Sequence, residues 1–156
     1  MARANSGILH REAEEMKPDE FIRKFTNERL YNPADLYQSG SRHFLLGPSA
    51  KDMLIKSAQK PEYAGTYLGR ELTGKFIPST FLLEMLRPHS RQATLSPRDE
   101  WLYVCRRDVA SSGKDGDFLL VMNQNKEILG FGQVFAGKLR NLFDIGDFLR
   151  RETRHG

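Results

Sequence analysis

The spacing of hydrophobic positions changes partway along this chain. In the first part they fall mostly at helical intervals; beyond residue 95 they gather into short runs of period two or of solid apolar character. Residues 1–16 read as a loose or helical start. Pro18-Asp19-Glu20 reads as a helix opening, because proline fits a first turn that does not need its N–H and acids favour the positive end of the dipole. Phe21, Ile22 and Phe25 then share a helical face that Leu30 roughly continues. Asn32-Pro33 and Ser39-Gly40 punctuate a loop. His43-Phe44-Leu45-Leu46 reads as a short strand stopped by Gly47-Pro48. Ser49 and Asp52 have capping-box spacing, with Met53, Leu54 and Ala58 along the helix behind them and Lys60-Pro61 at its end. From Tyr63 to Ile77 the pattern predicts strand, turn, strand, with Gly65, Gly69 and Gly74 at the tight places. Ser79 or Thr80 caps a third helix bearing Leu82, Leu83, Met85 and Leu86. Pro88 stops it, since the residue before proline avoids helical geometry.

Four apolar runs follow, at 101–105, 116–121, 128–134 and 144–149, each broken by turn residues. They predict a small closed sheet. Asn123-Gln124-Asn125 marks a hairpin turn. Gly130 and Gly132 inside a strand predict a bulge or a close backbone approach. Residues 88–98 hold two prolines and little apolar content, so the boundary is placed there. The expected class is α+β: an N-terminal α/β domain with a short sheet and helices over 1–92, and a C-terminal β-barrel over 93–156.

Composition bounds the function. Of 156 residues, 39% are hydrophobic and ten are Phe, enough for a core. Two domains of roughly 70–80 residues are each marginal alone. No run approaches the roughly 18 apolar residues of a membrane span, and the N-terminus lacks the apolar stretch of a signal peptide. A soluble, intracellular protein with no membrane partner is expected. The lone Cys105 excludes an internal disulfide and lies in an apolar run, which predicts buried filler. His10, His43, His89 and His155 lack metal-ligand spacing and take structural or surface roles, so neither metal nor cofactor is expected.

The net charge is +4. Up to Leu86 there are 12 basic and 11 acidic residues; beyond it there are 12 and 9. The excess lies in the C-terminal part, where a positive field attracts polyanions, nucleic acid first. The stretch from Gly69 to Lys75 has the glycine and lysine spacing of a phosphate loop, but Phe76 stands where Ser or Thr is needed and the setting reads as a hairpin. Gly130-Phe131-Gly132 lacks the third glycine of a dinucleotide fingerprint. Asp144 and Asp147 suggest paired carboxylates, but turn capping fits their context better. Nothing assembles into acid–base or nucleophilic catalysis, so the chain is not read as an enzyme.

The basic residues carry more. Arg150, Arg151 and Arg154 follow the last expected strand, Lys138 and Arg140 lie in the loop before it, and Arg106 and Arg107 end the first. Singly, each is an ordinary surface charge. If the barrel closes, first and last strands are neighbours, and converging guanidiniums bind phosphates bidentately.

Trp101-Leu102-Tyr103, Leu129-Gly130-Phe131-Gly132 and Asp144-Ile145-Gly146-Asp147-Phe148-Leu149-Arg150 resemble the Nip-seven family, two-domain factors of large-ribosomal-subunit biogenesis. Weaker similarity runs back through His43-Phe44-Leu45-Leu46, Gly69, Lys75-Phe76 and the segment from Leu82 to Leu86. The resemblance implies an N-terminal α/β domain that meets ribosome-assembly proteins. It also implies a C-terminal PUA-type β pseudobarrel that binds pre-rRNA without catalysis. Arg150 and Arg151 are then the leading RNA contacts, followed by Arg154, Lys138 and Arg140. The segment between Val109 and Asp117 departs from the family: it is short and carries Ser111-Ser112-Gly113 where eukaryotic members have a lysine-containing turn, with Lys114 nearby. The compact length is similar to archaeal members, which implies the cytoplasm; a eukaryotic source implies the nucleolus. Two alternatives stand beside this reading: an adaptor or accessory subunit of an RNA-modification or RNA-processing enzyme, and a pure protein-interaction module.

Overall fold

The structure, a computed structural model, describes residues 17–146. The chain divides into two compact units that part between Leu86 and Arg87, ahead of the boundary expected at residue 92. Both mix helices with a sheet, as the α+β expectation requires.

In the N-terminal unit, helix α1 (Lys17–Arg23) buries Phe21 and Ile22. The Phe21 ring lies 5.5 Å from Phe76 and 5.2 Å from Phe25. The helix stops at Arg23, so Leu30 does not extend its face. Asn32-Pro33 does more than punctuate a loop. The Asn32 Oδ1 accepts from the Ala34 N–H, opening a short 3-10 turn (Pro33–Asp35) that leads into a strand the sequence reading missed. Strands β1 (Leu36–Ser39), β2 (Arg42–Leu45), β3 (Thr66–Leu72) and β4 (Lys75–Pro78) form an antiparallel sheet in sequence order. Helix α2 (Pro48–Lys56) takes Gly47 as its N-cap, with no side-chain cap bond and Pro48 in its first turn. Ser49 and Asp52 therefore sit inside the helix, and the expected capping box does not form. Helix α3 (Thr80–Leu86) is capped as expected, with the Leu82 N–H donating to Ser79 Oγ at 3.1 Å.

The phosphate-loop-like stretch is the β3–β4 hairpin. Thr73 (φ 48°) and Gly74 (φ 74°) are both left-handed, as a tight two-residue turn requires. Beside it, His43 is a core residue, 2% exposed and 5.8 Å from the Phe76 ring. Burial holds its imidazole below the usual range, outweighing the opposing pull of Glu71.

The C-terminal unit begins inside the segment read as a boundary. Strand β5 (Gln92–Thr94) pairs in parallel with Leu120, Val121 and Met122. The run at 101–105, expected as the first barrel strand, belongs to helix α4 (Pro97–Val104). Its start signals decide the matter. Ser96 Oγ accepts from the Asp99 N–H at 3.2 Å, Pro97 occupies the first turn, and Asp99 and Glu100 favour the positive dipole end. Cys105 follows the helix and is exposed, not buried filler.

Strands β6 (Val109–Ala110), β7 (Phe118–Met122), β8 (Ile128–Phe135) and β9 (Lys138–Asp144) complete a sheet of order β5-β7-β8-β9-β6. It is a curled half-barrel, and β5 and β6 do not pair with each other, so the closed sheet is not formed among the described residues. Lys138 and Arg140 stand within β9 rather than in a loop, because the turn falls earlier, at Ala136 (φ 50°) and Gly137 (φ 73°). The β7–β8 turn lies where Asn123-Gln124-Asn125 predicted. It is locked by the buried Asn123, whose Oδ1 accepts from the Glu127 N–H at 2.9 Å and whose Nδ2 donates to Glu127 Oε2 at 2.8 Å.

Two register shifts curl this sheet. Val121 faces Gly130 and Met122 faces Ile128, leaving Leu129 as an extra residue in β8. Phe131 faces Phe143 and Gly132 faces Asn141, leaving Leu142 as an extra residue in β9. Each bulge bends its strand and reverses the alternation of faces beyond it. Leu129 and Val134, five positions apart, can thus both enter the core with Leu95, Tyr103, Val109, Leu119, Val121 and Leu139. Gly130 (φ 153°) allows the crossing, for a Cβ there would stand 1.9 Å from the Phe143 carbonyl oxygen. Gly137 has a left-handed φ but open space around it.

Gly130→Ala should therefore cost at least about 3 kcal/mol, and Gly137→Ala about 1 kcal/mol, measured by urea unfolding. Equal losses from the two substitutions would show that strand crowding at Gly130 is not the constraint.

Candidate nucleic-acid interface

Of the basic set, Lys138 and Arg140 lie on the β8–β9 hairpin. Lys138 and Arg140 alternate with buried Leu139, so both project from the exposed face of β9. Phe135, opposite Lys138, is 54% exposed at the end of β8. The Arg140 guanidinium carbon lies 4.7 Å from the centroid of the Phe135 ring. This cation–π contact holds the guanidinium plane near an aromatic surface that water otherwise covers. Neither Lys138 nor Arg140 has a salt-bridge partner among the described residues.

The loop between β6 and β7 braces the hairpin tip. Ser111 donates its N–H to the Gly137 carbonyl at 2.9 Å, and the Ala136 N–H donates to Asp115 Oδ1 at 2.8 Å. The Gly116 N–H donates to the Val134 carbonyl at 2.8 Å. Lys114 is exposed on this braced loop.

Arg106 and Arg107 occupy a different element from the one expected. They follow α4 in a six-residue C-terminal cap. Arg107 N–H donates to the Leu102 carbonyl and Arg106 N–H to the Tyr103 carbonyl, both at 2.9 Å, with Arg106 left-handed at φ 60°. Glycine is the usual residue at that point, so Arg106 carries a strain of about 1 kcal/mol. Its Nε lies 3.9 Å from Asp144 Oδ2. Asp144 is 1% exposed and also accepts from Asn141 Nδ2 at 2.8 Å. The buried carboxylate thus meets both Asn141 and Arg106, and Asp147 lies outside the described residues. From Arg106 the chain runs to β6, where Val109 faces Leu139 and Ala110 faces Lys138. The segment bearing Arg106 and Arg107 therefore lies along β9, beside the strand that carries Lys138 and Arg140. Asp108, exposed, interrupts the positive stretch. Arg150, Arg151 and Arg154 lie outside the described residues.

Tyr103 fixes this arrangement from beneath. It is fully buried, and its O–H is shared between the carbonyls of Phe143 at 2.6 Å and Phe131 at 2.9 Å. Asn141 Nδ2 donates back to the Tyr103 carbonyl at 2.7 Å. Burial, reinforced by the negative charge of Asp144, pushes the phenol far above its usual range, so it remains a donor at any physiological pH. Sequence reasoning missed both Tyr103 and Phe135. The signal for Phe135 was present: an apolar residue on the outward parity of β8, just before a glycine turn.

Among the described residues, no group of three or more His, Cys, Asp or Glu is placed to hold a metal ion. Compared with known proteins, the chain matches no family model and no curated protein.

Tyr103→Phe keeps the ring and removes the proton that the Phe131 and Phe143 carbonyls share. The C-terminal unit should lose about 1–3 kcal/mol in urea unfolding. A change below about 0.5 kcal/mol would mean that the carbonyls are satisfied without it.

Proposed function

We propose that this chain is a non-catalytic RNA-binding factor of ribosome biogenesis. In this reading its C-terminal unit is a PUA domain that contacts pre-rRNA of the large subunit, and its N-terminal unit meets assembly proteins. The protein works in the cytoplasm if its source is archaeal. One observation carries the RNA-binding part: Lys138 and Arg140 share an exposed strand face, with Arg140 held over the exposed ring of Phe135. Guanidinium and ammonium groups attract phosphates, and an exposed ring or guanidinium plane stacks an unpaired base. Arg150 and Arg151 add charge in the chain just beyond β9.

The family part rests on the resemblance, whose segments have a physical connection here. Trp101-Leu102-Tyr103 supplies the buried hydroxyl, and Leu129-Gly130-Phe131-Gly132 supplies one of its acceptors and the glycine beside the crowded carbonyl. Asp144 opens the third segment as the anchor of Arg106. These residues account for a shared fold; the basic surface around them accounts for binding.

The test is titration of the full chain with single-stranded and hairpin fragments of large-subunit rRNA, and with duplex DNA, across a salt series. RNA should bind more tightly than duplex DNA. Log K should fall against log salt with a slope of about −3 to −4, as expected for four to six phosphate contacts. Lys138→Glu with Arg140→Glu should weaken binding by about tenfold or more, and Phe135→Ala by about fivefold with an unchanged slope. Equal affinity for all polyanions, vanishing near physiological salt, would contradict specific RNA recognition.

A further inference from the structure

The N-terminal sheet carries a second set of rings and guanidiniums that the proposal above leaves unused. On β2, Arg42 and Phe44 are two residues apart and share a face. On β3, Tyr67 and Arg70 are three apart, and a regular strand would send them to opposite faces. Here Phe44 faces Tyr67, His43 faces Gly69 and Arg42 faces Arg70, leaving Leu68 as an extra residue. The bulge restores the parity, so Tyr67 and Arg70 stand on the face of Phe44 and Arg42 while Leu68 is fully buried.

Tyr63, just before β3, completes the cluster. Its ring meets Phe44 edge-on at 5.8 Å, and Tyr67 lies 5.6 Å from Phe44. The Arg42 guanidinium carbon sits 4.8 Å from the Tyr63 centroid. Tyr63 is 61% exposed and Tyr67 36%. Burial raises the Tyr67 phenol, while Arg70 and then Arg42 pull it down.

This patch is costly for the isolated fold. Arg42 and Arg70 are directly opposite on neighbouring strands, where like charges repel. Neither has a salt-bridge partner among the described residues, and the carboxylate of Glu71 is taken by Lys17. An outside anion would relieve the repulsion. An acidic peptide would satisfy the guanidiniums but leave the exposed rings unmatched. Duplex nucleic acid hides its base faces in the stack. A single strand offers both parts, phosphates for the arginines and flat bases for the rings.

We infer that the face formed by Arg42, Tyr63, Tyr67 and Arg70 is a second contact for single-stranded RNA. Bases lie over the tyrosine and guanidinium planes, and the adjoining phosphates meet Arg42 and Arg70. The choice of RNA over DNA rests on the function proposed above; the stacking and phosphate chemistry does not.

The test uses the full chain carrying Lys138→Gln, Arg140→Gln, Arg150→Gln and Arg151→Gln, which removes the leading cations of the C-terminal set. A short labelled oligoadenylate is the probe, at low salt. This protein should still bind it. Adding Tyr63→Ala should weaken binding about tenfold, whereas Tyr63→Phe should keep it within about twofold. Adding Arg42→Gln and Arg70→Gln should make the salt slope shallower by about 1.4. Unaltered thermal unfolding of the exposed Tyr63 variants separates binding from folding. If the quadruple variant fails to bind while the unaltered chain binds, this second contact is overturned and the C-terminal one stands. If neither binds, both are overturned. Binding that ignores Tyr63→Ala, or that polyglutamate displaces as readily as oligoadenylate, would overturn the RNA assignment in favour of a surface for acidic proteins.

Discussion

The C-terminal unit depends on one proton shared between two carbonyls. The Tyr103 hydroxyl reaches from α4 to Phe131 on β8 and Phe143 on β9, where the strands are out of regular register. The hydroxyl adds a donor beside the bulge that leaves Leu142 unpaired in β9. Tyrosine supplies that donor on a large apolar body, so the helix is attached to the sheet by packing and by a directed bond at once. Gly130 is the other half of the constraint, because no side chain fits against the Phe143 carbonyl. Asn141 and Asp144 extend the attachment to Arg106. The positions of Arg106 and Arg107 therefore follow from a buried network rather than from surface chance.

The same local device shapes both candidate surfaces. An extra residue in a strand reverses which side chains face outward beyond it. Leu68 brings Arg70 to the side of Tyr67 on β3, and Leu142 turns Asp144 inward at the end of β9. In each case a buried or unpaired position in the ladder decides the chemistry of its neighbours. Arginine over an exposed aromatic ring recurs in both units, as Arg140 on Phe135 and Arg42 on Tyr63. Such pairs offer a flat surface and a phosphate donor within one side-chain length.

Where signals are local, the sequence was legible. Pro18, the Ser79 cap, the turn at Thr73-Gly74 and the hairpin around Asn123 each act within a few residues, and each element stands where its signal placed it. Strands β1, β5 and β6 have two to four residues, too few for a periodic pattern, and partners distant in sequence hold them. The segment at 101–105 misled because a solid apolar run fits a strand or a buried helix equally well. The start signals at Ser96 and Pro97 favour the helix, and they lie outside the run itself. For the candidate site, Lys138 and Arg140 were legible as residues but not as a strand face, since Ala136 carries a left-handed turn that its type does not announce. Phe135 reads as one more apolar residue unless its outward parity in β8 is noticed, and its exposure sets it apart.

What remains is whether this chemistry meets RNA where the protein works. The most direct measurement is crosslinking in the protein's own cells, followed by sequencing of the RNA that copurifies with it. The account predicts reads concentrated on one stretch of large-subunit rRNA, which fall away when Lys138, Arg140, Arg150 and Arg151 are reversed to glutamate. Reads that are scattered or absent, or that persist unchanged after the reversal, would contradict it.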